Sequence, residues 1–112
     1  MKDTFTLYTL DVSVTGDPHT FACGHTIGHA FTAKGENIIF DELNNQFSMY
    51  ALAALLPLLP AKQRPTVAND WMTSDDTIAC PDPHCGAQFV ISRRDQTTYQ
   101  RSDVTKTPHP TL

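Results

Sequence analysis

The sequence predicts an α+β fold: a small curled antiparallel sheet, a partly open barrel, carrying one main helix. Two observations carry that expectation. Short stretches of alternating apolar and polar residues sit at both ends of the chain, between turn-forming residues. A single Ala/Leu-rich segment in the middle has helical spacing. At 112 residues the chain is long enough to bury a real core as one domain. The expected division is one compact domain over 1–96 and a mobile tail over 97–112, where the chain is polar and lacks periodicity.

Residues 4–14 read as the first strand. Phe5 and Leu7 share one face, whereas Leu10, Val12 and Val14 take the opposite parity. That switch predicts a β-bulge near Tyr8-Thr9 or a strand buried on both sides. Gly16-Asp17-Pro18 ends it as a turn. Ile27 to Thr32 is a second strand, and Lys34-Gly35-Glu36-Asn37 forms a hairpin turn into Ile38-Ile39-Phe40.

The helix is expected over 45–56. Leu52, Leu55, Leu56 and Leu59 follow i, i+3, i+4, i+7 spacing, which reads as a core-packing stripe. Asn44 or Asn45 is placed to cap its start, and Pro57 and Pro60 to end it. Residues 61–76 are irregular, with Trp71 expected as a core or rim aromatic and the nearby aspartates as loop or capping groups. Thr77 to Cys80 and Gly86 to Ser92 read as two strands, so Cys80 to Gly86 becomes a hairpin loop.

A formal charge of −4 gives no broad basic field, and Arg93-Arg94 is too small a patch to recruit nucleic acid. The longest apolar run, Met49 to Leu59, contains a proline and falls short of the about 20 residues of a membrane span. No continuous apolar stretch follows Lys2, so a soluble, cytoplasmic protein with no membrane partner is expected. In that compartment thiols stay reduced, and with three cysteines complete pairing within one chain is impossible.

The chemistry lies in two short clusters. The first is Cys23-Gly24-His25, with His19 and His29 nearby; the second is Cys80-Pro81-Asp82-Pro83-His84-Cys85-Gly86. Thiolates and imidazoles are the preferred ligands of Zn²⁺, which draws four of them to about 2.0–2.3 Å. In an extended chain Cys23 and His25 point to one side. Cys80 and Cys85 enclose four residues, a wide spacing for a zinc loop, and His84 stands by as a spare ligand. The reading favoured is a zinc-binding protein using Cys23, His25, Cys80 and Cys85.

Two alternatives stay open. Cys23 or Cys80 acts as a nucleophile with His25 as base, Cys80 with His84 being the second pairing. Otherwise the clusters are ordinary turns of a non-catalytic accessory module, since cysteine is often buried as a small hydrophobe. A protein partner or a second copy is compatible with either.

Around these residues the chain resembles a family of small prokaryotic proteins of unassigned function. The family has a Cys-Pro-x-Gly-His segment near its N-terminus, a helix, a Trp, and an Ala-Cys-Pro-Asp segment before a final strand. Gly24-His25-Thr26-Ile27-Gly28-His29-Ala30-Phe31 matches the first block, Trp71 the aromatic, and Ile78-Ala79-Cys80-Pro81-Asp82-Pro83 the last. The likeness spans about residues 5–94. The family's first cysteine falls where this chain has Phe21, a further family cysteine is replaced near Ser48, and Cys85 is an addition. The resemblance therefore supports His25 and Cys80, while Cys23 and Cys85 rest on this sequence alone. It implies an outline and no reaction.

Overall fold

Apolar residues in the opening strand find partners on both sides, and this places it at the centre of the sheet. The structure is a computed structural model and describes residues 3–111. The strands are β1 (Thr4–Thr15), β2 (Gly28–Lys34), β3 (Asn37–Phe40), β4 (Thr77–Ala79) and β5 (Gln88–Gln100). They form one sheet in the order β3-β2-β1-β5-β4, with antiparallel pairing throughout. The sheet ends on β3 and β4, so it is open, an antiparallel sheet of the expected α+β class.

The parity switch in β1 has a physical counterpart. Tyr8 faces Gln96 but Leu10 faces Arg93, a slip of one residue in the β1–β5 register. Burial passes from Leu7 and Thr9 to Leu10, Val12 and Val14 across the same point. The β2–β3 hairpin forms as predicted, with Lys34 opposite Asn37 and Gly35 at φ 59°, where the two-residue turn needs a left-handed residue.

Helical structure differs from the expectation of one main helix. The helices are α1 (Met49–Leu55), α2 (Leu58–Gln63), α3 (Trp71–Ser74) and α4 (Arg101–Val104). Ser48, rather than Asn44 or Asn45, caps α1, its hydroxyl accepting from the Ala51 amide. α1 ends just before Pro57, as expected, but a second helix starts there, because the fixed φ of Pro57 also suits a helix start. Pro60 then falls in the first turn of α2, where a missing N–H costs nothing. Ala51, Leu55 and Leu59 face the core, and Leu56 of the predicted stripe turns outward, 44% exposed.

α1 and α2 pack on the sheet face that carries Leu10, Val12, Phe31, Phe89 and Ile91, all essentially buried. Each such side chain contributes about 1.5–3 kcal/mol by leaving water. Arg93 clamps α2 to the sheet: its guanidinium donates to the carbonyls of Lys62 and Arg64 and lies 4.7 Å from the Tyr8 ring centre. Lys62 is itself buried, its ammonium donating to the Met72 carbonyl at 2.6 Å. Arg94 pairs with Asp11 on the opposite face. Both arginines of the small basic patch are thus engaged within the fold.

The tail expected from residue 97 is structured over 97–104. β5 continues to Gln100, with Thr97 and Tyr99 half-buried between exposed neighbours. Tyr99 stacks on Phe5 at 5.6 Å, and the Arg101 amide donates to the Asp3 carbonyl. Polar residues extend the strand here because pairing with β1 satisfies their backbone. Trp71 departs from expectation as well: it opens α3, capped by Asp70, and is 71% exposed.

Candidate metal centre

The sheet brings the two clusters together because β1 and β5 are neighbours. Chain leaving β1 at Thr15 and chain arriving at Gln88 therefore start from the same end of one strand pair. Beyond β1, Gly16 takes φ 113° and Asp17 caps a short 3-10 turn, Pro18–Thr20, through the His19 amide. Residues 21–26 then run with alternating exposure, so Phe21, Cys23 and His25 turn inward while Ala22, Gly24 and Thr26 face water. The expectation that Cys23 and His25 share one side holds.

The second cluster is the loop of the β4–β5 hairpin. The Cys80 amide donates to the Ala87 carbonyl at 3.0 Å, closing its neck. Within it the Asp82 carboxylate accepts from the His84 amide, and the Asp82 carbonyl accepts from the Cys85 amide at 3.0 Å. This local turn folds Cys85 back toward Cys80. The Gly86 amide donates to the Thr20 carbonyl at 3.1 Å and so ties the two loops to each other.

In this arrangement Cys23, His25, Cys80 and Cys85 each offer one donor atom, all four within 4.8 Å of one another. The Nε2 atom of His25 lies 3.8 Å from the Cys80 sulfur. All three thiols are free, Cys80 being buried and the other two half-buried. Tetrahedral zinc with these ligands has donor separations of roughly 3.5–3.8 Å, so the widest gap needs to close by roughly 1 Å.

Three phenylalanines hold the imidazole. Phe89 meets it edge-on at 5.0 Å, Phe47 lies at 5.7 Å and Phe21 at 6.3 Å. Burial in this apolar setting lowers the pKa of His25 and favours the neutral ring, the form that binds metal. The thiols influence one another. Burial pushes Cys23 up to about 11, helped by the neighbouring Cys80 and Cys85 sulfurs. Burial also acts to raise Cys85, but the amides of Ala87, Cys23 and Ala22, with the Cys80 thiol, outweigh it and bring Cys85 down to about 7. One thiolate is thus readily formed, and each further negative charge beside it needs a cation to balance it.

The remaining histidines stand outside this set. His84 is exposed on the loop, and His19 and His109 are outside the cluster. His29 belongs to a separate polar network on the open sheet face, its ring against Asp41 at 3.1 Å and the Thr32 hydroxyl at 3.0 Å. For the thiol–imidazole pairings, the contact formed is Cys80 with His25, across the two clusters. Sequence reasoning missed the aromatic cage; Phe21 and Phe89 carried a signal in the alternation of their segments, and Phe47 carried none.

The chain matches no family model, no curated protein and no solved structure. Among the described residues no helix is long and apolar enough to cross a membrane.

Proposed function

We propose that the protein binds one Zn²⁺ through Cys23, His25, Cys80 and Cys85, and that the ion locks its two loops together. The observation that carries this reading is the convergence of three sulfurs and one imidazole nitrogen within 4.8 Å. Soft sulfur donors with one imidazole suit Zn²⁺ better than Mg²⁺ or Ca²⁺, which take oxygen. Four protein ligands fill a tetrahedral shell and leave no position for a reacting water, so the role is structural. The residues between the clusters include β2, β3 and α1 to α3, so the ion closes a long loop that the unfolded chain does not close.

The family resemblance, carried by Gly24-His25 and Ala79-Cys80-Pro81-Asp82, belongs to the same proposal, as does a cytoplasmic setting in which the thiols stay reduced. The protein acts on this reading as a small non-catalytic module stabilised by its metal.

Elemental analysis of protein purified without a histidine tag tests it. One equivalent of zinc is expected, and Co²⁺ exchanged into the site gives the intense visible absorption of tetrahedral thiolate coordination. Less than about a tenth of an equivalent after purification in zinc-containing buffer, with three freely titratable thiols, overturns the proposal.

A further inference from the structure

At the end of the sheet away from the cysteines lies a groove of about 790 Å³. That volume falls within the roughly 300–1,000 Å³ of small-molecule sites. Its walls come from the start of β1, the β2–β3 turn, the α1–α2 corner and α4. Phe5, Leu7, Ile38, Leu56, Leu59 and Val104 make it largely apolar. Leu56 is the residue of the helical stripe that the core does not use.

A smaller recess of about 370 Å³ shares Phe5, Leu7, Arg64 and Val104 with the groove and adds Arg101. Arg64 therefore borders both, and Arg101 borders the smaller recess beside the groove. Arg64 donates to the Pro60 carbonyl, and Arg101 to the carbonyls of Thr107 and Pro108. Among the described residues neither forms an ion pair. In the groove itself Lys34 and Arg64 balance Glu36 and Asp103, and Arg101 of the adjoining recess adds one more cation, in a chain whose overall charge is −4.

We infer that this groove binds an amphipathic anion, an unbranched aliphatic chain ending in a carboxylate. The apolar walls bury the chain, and Arg64 and Arg101 meet the carboxylate, for which the guanidinium fork is geometrically suited. The inference is independent of the metal. β2 begins beside His25 and ends at Lys34 on the groove, and β5 begins beside Cys85 and reaches Tyr99 there, so the full strand length separates the two sites.

The test is isothermal titration of the 112-residue protein as purified with dodecanoate, dodecanol and dodecyltrimethylammonium, each below its micelle concentration. Saturable binding of one dodecanoate is expected, at least tenfold tighter than dodecanol and tighter still than the cation. Arg64→Gln with Arg101→Gln brings dodecanoate down to the level of dodecanol, and Leu56→Asp weakens both at least tenfold. Equal affinity for dodecanoate and dodecanol overturns the inference, and so does the absence of saturable binding. A concentration-dependent dimer that excludes dodecanoate also overturns it, by giving the groove to a second copy. The comparison of the three probes on the unaltered protein decides the matter even where a variant fails to fold.

Discussion

A Cβ atom on Gly16 would stand 2.6 Å from the carbonyl oxygen of Gly86, closer than a real Cβ ever comes to an oxygen. Gly16 also sits at φ 113°, and a Cβ on Gly86 would overlap the Thr20 hydroxyl. The two loops meet backbone to backbone here, just before the donor atoms converge. Gly16→Ala and Gly86→Ala are each expected to lose about 2–3 kcal/mol of stability and to weaken metal binding together with it. Gly24, between Cys23 and His25, has open space where its Cβ would be, so Gly24→Ala is expected to stay within about 0.5 kcal/mol. Thermal unfolding and Co²⁺ titration of the three variants check the contrast; equal behaviour would contradict the close approach.

Metal removal should expose how much of the fold depends on the site. With a chelator, the melting temperature is expected to fall by 10 °C or more, on the order of 2 kcal/mol for a chain of this size. Cys80→Ser, at the buried sulfur, is expected to cost at least about 100-fold in Co²⁺ affinity and to make the protein insensitive to chelator. Scanning calorimetry of wild type and variant, with and without chelator, reads both effects.

Metal affinity should rise with pH, because the ion displaces thiol protons. With Cys23 at about 11, binding at pH 8 releases its proton, whereas Cys85 at about 7 is already largely a thiolate. Below pH 7 Cys85 also holds a proton, and one more must leave. The slope of log affinity against pH is expected to steepen by about one unit on passing below pH 7. Competition titrations with a chelator of known proton stoichiometry, run from pH 6 to pH 8.5, measure that slope.

On the opposite face of the sheet, Arg94 grips Asp11 with bonds of 2.6 and 2.9 Å, and Thr32 donates to the same carboxylate. The Arg94 bond is the main cause that holds Asp11 at about 2, against an ordinary 3.8. The folded carboxyl keeps its charge longer than the unfolded one. The stabilisation is therefore complete above about pH 4 and is lost as pH falls through 2. The shift corresponds to about 2 kcal/mol, reduced to about 1 kcal/mol by solvent at the half-exposed guanidinium. Arg94→Met should remove that increment at pH 6 and leave little difference from wild type at pH 2, as read by urea unfolding.

Much of the β structure was legible from local pattern. The parity switch between Leu7 and Leu10 pointed to the irregularity in β1, and Gly35 marked the β2–β3 turn. The hairpin holding Cys80 and Cys85 followed from the alternation of Ala87, Phe89 and Ile91. The pattern failed where pairing alone sustains structure. Thr97 to Gln100 have too little apolar content to read as a strand, and Pro57, a stop for α1 as expected, gave no sign that α2 starts there.

The sequence by itself determined the donor chemistry: which thiols and imidazoles exist, and that Cys23 and His25 face one way. It could not decide that these donors meet those of Cys80 and Cys85. That depends on β1 and β5 lying side by side, a pairing of segments some eighty residues apart. It depends also on Gly16 and Gly86 allowing the two loops to touch. Local periodicity reports which face of an element is buried, and only the folded sheet specifies what is buried against it.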